Sequence, residues 1–341
     1  MPQKSHLISV VTPTYNAAVF LPHAYACLCR QSYENWEWVV VDDGSTDETP
    51  TLLLEWTLKD SRIRYFTQEN SGSAKLPRDH AVYESRGTLV FPLDADDIIE
   101  DNYLKKMLER MLDTDADIVY PHMDFIDMAT GKIQTSLPVT DFDSTRIYRG
   151  RDLVRETMPE WRIGCNGGLY RREIWLNMSW PPTHEPIWVY SDEVDERIYQ
   201  IHAHRVAFAS AHYLYQIHNS SITNKVSPKL FEILNANYQL LDVVENAFSK
   251  NSLEYRRANQ KLFNNWRNMM KFYVCHHKAL TSAEDMIRQN LETTFNRIEP
   301  QLLSKWERIK FLNLCSFPLL FAIFSLKYSL VKKVIQHIAP C

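Results

Sequence analysis

The chain has 341 residues, 45% hydrophobic and 23% charged, enough for a large buried core and for more than one domain. A formal net charge of -4 gives no overall basic field, which argues against nucleic acid as a partner. Aromatic residues make up 12% of the chain, a content that suits a carbohydrate- or base-stacking surface and ordinary core packing equally well. The cysteines Cys27, Cys29, Cys165, Cys275, Cys315 and Cys341 are scattered without paired metal-ligand spacing, which predicts reduced, structural thiols in a cytoplasmic protein. MPQKSHLISVVTP runs straight into an expected strand without a signal-type apolar region.

Short apolar runs alternate with helical patterns over the first 125 residues. Residues 7–11 read as a strand ending at Thr12-Pro13-Thr14, and a helix follows over 19–31 with Leu21, Ala24 and Leu28 on one face. A second strand over 38–41 stops at Asp42-Asp43-Gly44-Ser45, and Pro50 suits the first position of the next helix. Strands over 63–67, 88–93 and 118–120 alternate with helices over 74–85 and 103–112. This order predicts an α/β fold with a mostly parallel sheet flanked by helices. Continuous apolar strands such as Val39-Val40-Val41 belong to a sheet covered on both faces. After residue 125 the alternation weakens; strands are expected over 206–208 and 213–215, and a helical extension over 226–298.

In a parallel α/β sheet the strand carboxyl ends share one edge, and ligands bind in the crevice there. Thr12-Pro13-Thr14, Asp42-Asp43-Gly44-Ser45 and Asp94-Ala95-Asp96-Asp97 all fall at such ends. Asp94 and Asp96, two apart in an extended segment, point the same way and can share one cation. Mn2+ or Mg2+ held by one or two carboxylates plus substrate phosphates fits that pattern. The plain alternative is helix capping, since acidic residues before a helix are favoured anyway. With only 8 glycines, and neither GxGxxG nor GxxxxGK[ST], a dinucleotide-type site and a Walker loop are both disfavoured.

Two stretches, ISVVTPTYNAAVFLPHAYACLCRQSYENWEWVVVDDGSTDET and ENSGSAKLPRDHAVYESRGTLVFPLDADDIIEDNYL, resemble the N-terminal half of family 2 glycosyltransferases of the GT-A fold. The likeness is dense over residues 6–125 and continues weakly to about 225. It implies inverting transfer of a sugar from a nucleotide-sugar, a UDP-sugar by analogy with the commonest donors of the family. Carried over, Asp43 contacts the base, Thr12, Pro13 and Tyr15 line its pocket, and Asp94 and Asp96 serve ribose and metal–diphosphate, with Asp97 beside them at the sugar. Arg78 keeps the place of a diphosphate or base contact, although Leu76-Pro77-Arg78-Asp79 stands where family members often show Ala-Arg-Asn.

Inverting transfer needs a general base for the acceptor hydroxyl. The family places an acidic pair before a helix in its second half, which here gives Asp192 first and Glu193 second; the alternative is a helix cap at Ser191 with an acidic first turn. The stretch from Cys165 to Arg171 resembles the small-residue segment where a sugar nears the backbone, at Gly167 and Gly168. Tyr215-Gln216-Ile217-His218-Asn219-Ser220-Ser221 resembles a Tyr-Arg-x-His-x-x-Ser segment, with Gln216 in place of Arg and His218 directed to the metal or diphosphate.

Residues 299–341 form a basic, apolar tail. Lys305, Arg308 and Lys310 precede a run over 311–324 that is interrupted by Pro318, shorter than the ~20 residues a spanning helix needs. Such a segment suits an anionic membrane surface, or packing on the domain or on a second copy in a homodimer. The expected organisation is a GT-A domain over 1–225 (nucleotide half 1–100, acceptor half 101–225), a helical extension over 226–298 and the tail. The expected activity is extension of a saccharide or lipid-linked acceptor in surface polysaccharide synthesis, at the inner face of the cell membrane. A haloacid-type phosphatase would carry its Asp-x-Asp on the first strand, and a nucleotidyltransferase would carry a basic signature where Thr14-Tyr15-Asn16 stands. A non-catalytic membrane-tethered binding protein is the rival from a different class.

Overall fold

Every residue of β2 (Trp36–Asp42) is buried, because both faces of the sheet are covered at this strand. Trp36, Trp38 and Val40 join the main hydrophobic cluster with Leu21, Leu28 and Leu53, while Val39 and Val41 pack on the other face with Ala81 and Val82. A computed structural model of the chain describes residues 6–158, 162–163, 166–177, 191–217 and 226–313. The chain divides into two units, Met1–Thr183 with Asp195–Asn219, and His184–Val194 with Ser220–Cys341.

In the first unit, β1 (Ile8–Thr14), β2, β3 (Ile63–Thr67) and β4 (Leu89–Pro92) alternate with α1 (Leu21–Cys29), α2 (Thr49–Lys59) and α3 (Lys75–Glu84). Then come β5 (Ile98–Ile99), α4 (Tyr103–Thr114), β6 (Ile118–Asp127), β7 (Ile133–Leu137), α5 (Gly150–Thr157), β8 (Leu169–Arg171), α6 (Arg172–Leu176), α7 (Ser191–His202) and β9 (Val206–Ile217). They make one nine-stranded sheet in the order β3-β2-β1-β4-β8-β6-β9-β5, with β7 paired to β6. The boundary between the two units falls within α7.

The parallel character expected from the sequence holds for β3-β2-β1-β4. Beyond β4 the sheet is mixed: β8 runs antiparallel to both β4 and β6, and β9 returns parallel to β6. The two short strands expected over 206–208 and 213–215 are one strand, β9. Its small and polar middle, Ala209-Ser210-Ala211-His212, pairs across a register shift between Tyr120 and His122, a bulge that breaks the apolar pattern without ending the strand. β7 escapes sequence reading because its first four residues are exposed; it closes a hairpin whose turn places Gly131 at φ 66°.

The second unit holds α8 (Glu232–Phe248), α9 (Leu253–Leu280), α10 (Glu284–Arg297) and α11 (Lys305–Asn313). Ser252 caps α9 by accepting from the Tyr255 amide at 3.0 Å. The Trp266 indole donates to the Leu291 carbonyl at 2.9 Å, and Phe311 stacks on Phe295 with ring centroids 4.7 Å apart. Among the described residues no helix is long and apolar enough to cross a membrane.

Three consecutive charged residues of α7, Asp195, Glu196 and Arg197, are buried. The Tyr120 and Tyr170 hydroxyls donate to the two Glu196 carboxylate oxygens. Arg197 donates to the Thr157 hydroxyl and carbonyl and to the Gln200 side chain. Burial pushes the Glu196 carboxyl from 4.5 to about 8, against the pull of both tyrosines. The folded protein therefore keeps a proton that the unfolded chain releases, and this group's contribution to stability falls as pH rises through that interval. Relative to Glu196→Gln, wild-type stability in urea melts should drop by on the order of 4 kcal/mol between pH 4.5 and 8. Parallel stability–pH curves for the two proteins would contradict a buried proton at Glu196.

Candidate active site

The carboxyl ends of β1, β2 and β4 lie side by side. Thr14 is in register with Asp42, and Val11 with Pro92. The Thr12 hydroxyl donates to the Leu93 carbonyl and accepts from the Trp38 indole, each at 2.8 Å, so one buried side chain links β1 to β2 and to the residue after β4. Asp42 shapes its own turn: one oxygen accepts from the Ser45 amide at 3.0 Å and from the Ser45 hydroxyl, as an Asp in a tight turn does. Gly44 follows at φ 74°, where a Cβ would come within 3.0 Å of the Asn70 amide nitrogen.

Asp43 is 3% exposed. Its oxygens accept from the Gln68 side-chain amide (2.8 Å), the Ser71 amide (3.0 Å) and the Ser71 hydroxyl (2.9 Å). The segment between β3 and α3 is thereby folded onto the end of β2. Tyr15 lies beyond the β1 end and is 51% exposed. Asn16, at φ 50°, receives the Thr46 amide on its side-chain oxygen and gives its own amide to Ser45, both at 2.8 Å.

After β4 the chain turns at Asp94-Ala95-Asp96-Asp97, with the Asp97 amide donating to the Asp94 carbonyl at 3.1 Å. The three carboxylates differ in environment. Asp94 pairs with the Arg78 guanidinium of α3 at 2.8 Å. Asp96 is partly buried. Asp97 is buried, and accepts from the Tyr213 hydroxyl at 2.6 Å and the Gln216 amide at 2.9 Å, both on β9. Burial first, then the charges of Asp94 and Asp96, hold the Asp97 carboxyl well above its usual value. The effect shows how closely acidity is gathered at this turn.

Among the described residues no group of three His, Cys, Asp or Glu side chains is arranged to hold a metal by itself. An oxygen-only pair at Asp94 and Asp96 does fit a hard divalent cation that completes its coordination with phosphate and water.

Residues 9–176 match the family model Glycosyl transferase family 2. This chain carries a family 2 glycosyltransferase domain. It is 24% identical over 225 residues to the glycosyltransferase GlyG of Streptococcus pneumoniae serotype 4, covering 64% of this chain and 73% of GlyG. With the UDP-Glc:alpha-D-GlcNAc-diphosphoundecaprenol beta-1,3-glucosyltransferase WfgD of Escherichia coli it shares 33% over 121 residues, 36% of this chain and 47% of WfgD. The crystal structure of S. aureus TarS 1-349 in complex with UDP-GlcNAc superposes with a TM-score of 0.61 at 16% identity, covering 86% of this chain and 82% of that one. At that identity the likeness establishes the GT-A fold alone.

Within the glycosyltransferase domain, the residues expected at the nucleotide, Thr12, Pro13, Tyr15, Asp43, Arg78 and Asp94, come together at one sheet edge. Gly167 sits at φ 76°, where a Cβ would lie 2.3 Å from the Tyr213 ring and 2.9 Å from the Tyr103 hydroxyl. A Cβ at Gly168 would meet the Tyr170 ring. Packing against these tyrosines is sufficient reason for both glycines. Asp192 and Glu193 open α7 on the second-unit side of the boundary, where Glu193 forms an ion pair with Lys261. His218 lies outside the described residues, as does the chain from 314 onward.

Gln68, Ser71 and Tyr213, which hold Asp43 and Asp97, are not legible in the sequence as partners of the site residues. Gln68 and Ser71 belong to a loop, and only the folded geometry shows that they grip Asp43. Removing the Asp97 carboxylate should expose what it ties down. Asp97→Ala leaves the buried Tyr213 hydroxyl and the part-buried Gln216 amide without their acceptor and should cost about 2–4 kcal/mol in denaturant melts. Asp97→Asn offers Oδ1 to Gln216 but turns only an amide nitrogen, which cannot accept, to Tyr213, and should therefore recover about half of that loss. Equal melts for Asp97→Ala and wild type would refute the strut.

Proposed function

We propose that the chain transfers a sugar from a nucleotide-sugar to a saccharide or lipid-linked saccharide acceptor, with inversion, in the assembly of a cell-surface polysaccharide. The observation that carries this reading is the Arg78–Asp94 ion pair at the joined ends of β1, β2 and β4, inside the glycosyltransferase domain. A cation and a set of carboxylates at one edge suit a ligand that is both anionic and rich in hydroxyls, as a sugar diphosphate is. Support for the donor and acceptor classes comes from the relatives: WfgD is named for UDP-Glc and a diphosphoundecaprenol-linked sugar, and TarS is seen with UDP-GlcNAc.

In this reading Thr12, Pro13, Tyr15 and the Asp43 turn bound the base, and Asp94 reaches the ribose. Arg78 offsets the charge that builds on the departing diphosphate. Asp96, with Asp94 beside it, is the carboxylate that would hold Mn2+ or Mg2+, and the chemistry such an ion supplies there is charge neutralisation. The acceptor hydroxyl attacks the anomeric carbon from the face opposite the diphosphate, one C–O bond forming as the other breaks, which inverts the configuration. The hydroxyl proton passes to a carboxylate at the start of α7, Asp192 first and Glu193 second. A panel of nucleotide-sugars, scored for nucleotide release and for transfer with Mn2+ and with chelator, tests the reading. Turnover of at least one donor that chelator abolishes is expected. Asp96→Ala should weaken Mn2+-dependent donor binding by about tenfold or more while the protein stays folded. No release from any donor by folded protein with metal present would sink the proposal.

The protein is proposed to work at the cytoplasmic membrane face. α11 exposes Trp306 and Ile309 beside Lys305 and Lys310, and the sequence beyond it continues apolar and basic through Lys327, Lys332 and Lys333. An aromatic and aliphatic surface flanked by cations suits an anionic lipid interface. A chain ending at Asn313 should lose sedimentation with anionic vesicles that the full chain shows; undiminished sedimentation refutes a role for residues 314–341.

A further inference from the structure

The face of α3 that carries Arg78 also carries Lys75 and Asp79, three residues before it and one after, so all three share one side of the helix. Lys75 Nζ lies 2.8 Å from Asp195 Oδ2 of α7 and 3.0 Å from Asp79 Oδ2. Asp79 in turn accepts from the Trp175 indole at 2.9 Å. The Trp175 ring lies against Tyr199, one helical turn after Asp195, at 4.9 Å between centroids. Arg78 is thus gripped by Asp94 on one side, while the helix that bears it is gripped through Lys75 on the other.

Asp195 is an expensive group to place here. It is 8% exposed, and its Oδ1 is buried without a hydrogen-bond partner. Burial raises its carboxyl to about 6 in spite of the pull of Lys75. Burial also works against the Lys75 charge, yet Asp195 and Asp79 outweigh it and raise the ammonium above its usual value. Two apolar side chains of similar size would join α3 to α7 at lower cost, since a buried ion pair seldom outperforms well-packed hydrophobes. What an ion pair provides and an apolar contact does not is a fixed, directional attachment.

We propose that Asp195 is a positioning residue for the leaving-group side of the site: it holds Lys75, and through the shared face of α3 it fixes the Arg78 guanidinium against Asp94. The inference rests on the nucleotide-sugar reading above, in which Arg78 faces the departing diphosphate. It is separate from the proton acceptor at Asp192 or Glu193, because Asp195 acts through α3 and not on the acceptor hydroxyl.

Asp195→Asn preserves the shape and removes the charge. In steady-state transfer it should lower kcat on the order of 10–100-fold, with donor KM changed less than about threefold. The wild-type kcat profile should show an acidic limb near pH 6, where Asp195 takes a proton, and Asp195→Asn should lack it. Lys75→Met should reproduce the kcat loss, and in an Arg78→Lys background Asp195→Asn should cost little more, because linked residues are not additive. Wild-type kcat and an unshifted acidic limb in Asp195→Asn overturn the inference while leaving the glycosyltransferase reading intact. A kcat loss that adds in full to that of Arg78→Lys overturns it as well. A wild-type chain that turns over no donor overturns the underlying reading, and this inference with it.

Discussion

Asp97 is the buried carboxyl group around which the two halves of the sheet are joined. It follows the last residue of the parallel block by five positions, and both its oxygens are taken by β9, from the Tyr213 hydroxyl and the Gln216 amide. Tyr213 also packs with Tyr103 and over Gly167, so the position of the acidic turn and the close approach of the segment before β8 are set together. A carboxyl group buried away from water must be hydrogen-bonded to be tolerated. That requirement fixes the turn, and the fixed turn sets Asp94 against Arg78.

The parallel half was readable from the sequence because its physics is local. Val39-Val40-Val41 and Leu89-Val90-Phe91 are apolar runs of strand length, and Pro50 marks a helix start, where α2 begins at Thr49. The mixed half resisted for equally physical reasons. β8 is three residues long, too short for any period to show, and β7 is an exposed hairpin arm. For the site, the residues at strand ends were legible as a set, but their partners were not. Asp43 is held by Gln68 and Ser71, which have no sequence signature of their own. Asp195, Glu196 and Arg197 resemble a solvated helix face, and their burial follows from Tyr120, Tyr170, Thr157 and Lys75, all distant in the chain.

α7 shows how polar burial can specify arrangement at the expense of stability. Glu196 between two tyrosine hydroxyls, Arg197 on Thr157 and Asp195 on Lys75 each accept only one geometry. An all-apolar face would have tolerated sliding and rotation of the helix. From Asp195 onward the helix is therefore indexed to β6, β8, α5 and α3 by polar contacts to each of the four.

Asn16 has a consequence for how a ligand is received. Its left-handed backbone and its reciprocal bonds to Ser45 and Thr46 lace the loop after β1 to the loop after β2 through protein groups alone. Ala17 and Ala18 add two more stitches, giving their amides to the Thr49 hydroxyl and the Asp47 carboxylate. Loops already ordered lose little further entropy when something docks against them. In the nucleotide-sugar reading proposed above, the wall beside Tyr15 would be a preformed cradle, and the free energy of a nucleoside settling there would go into affinity instead of into organising the rim.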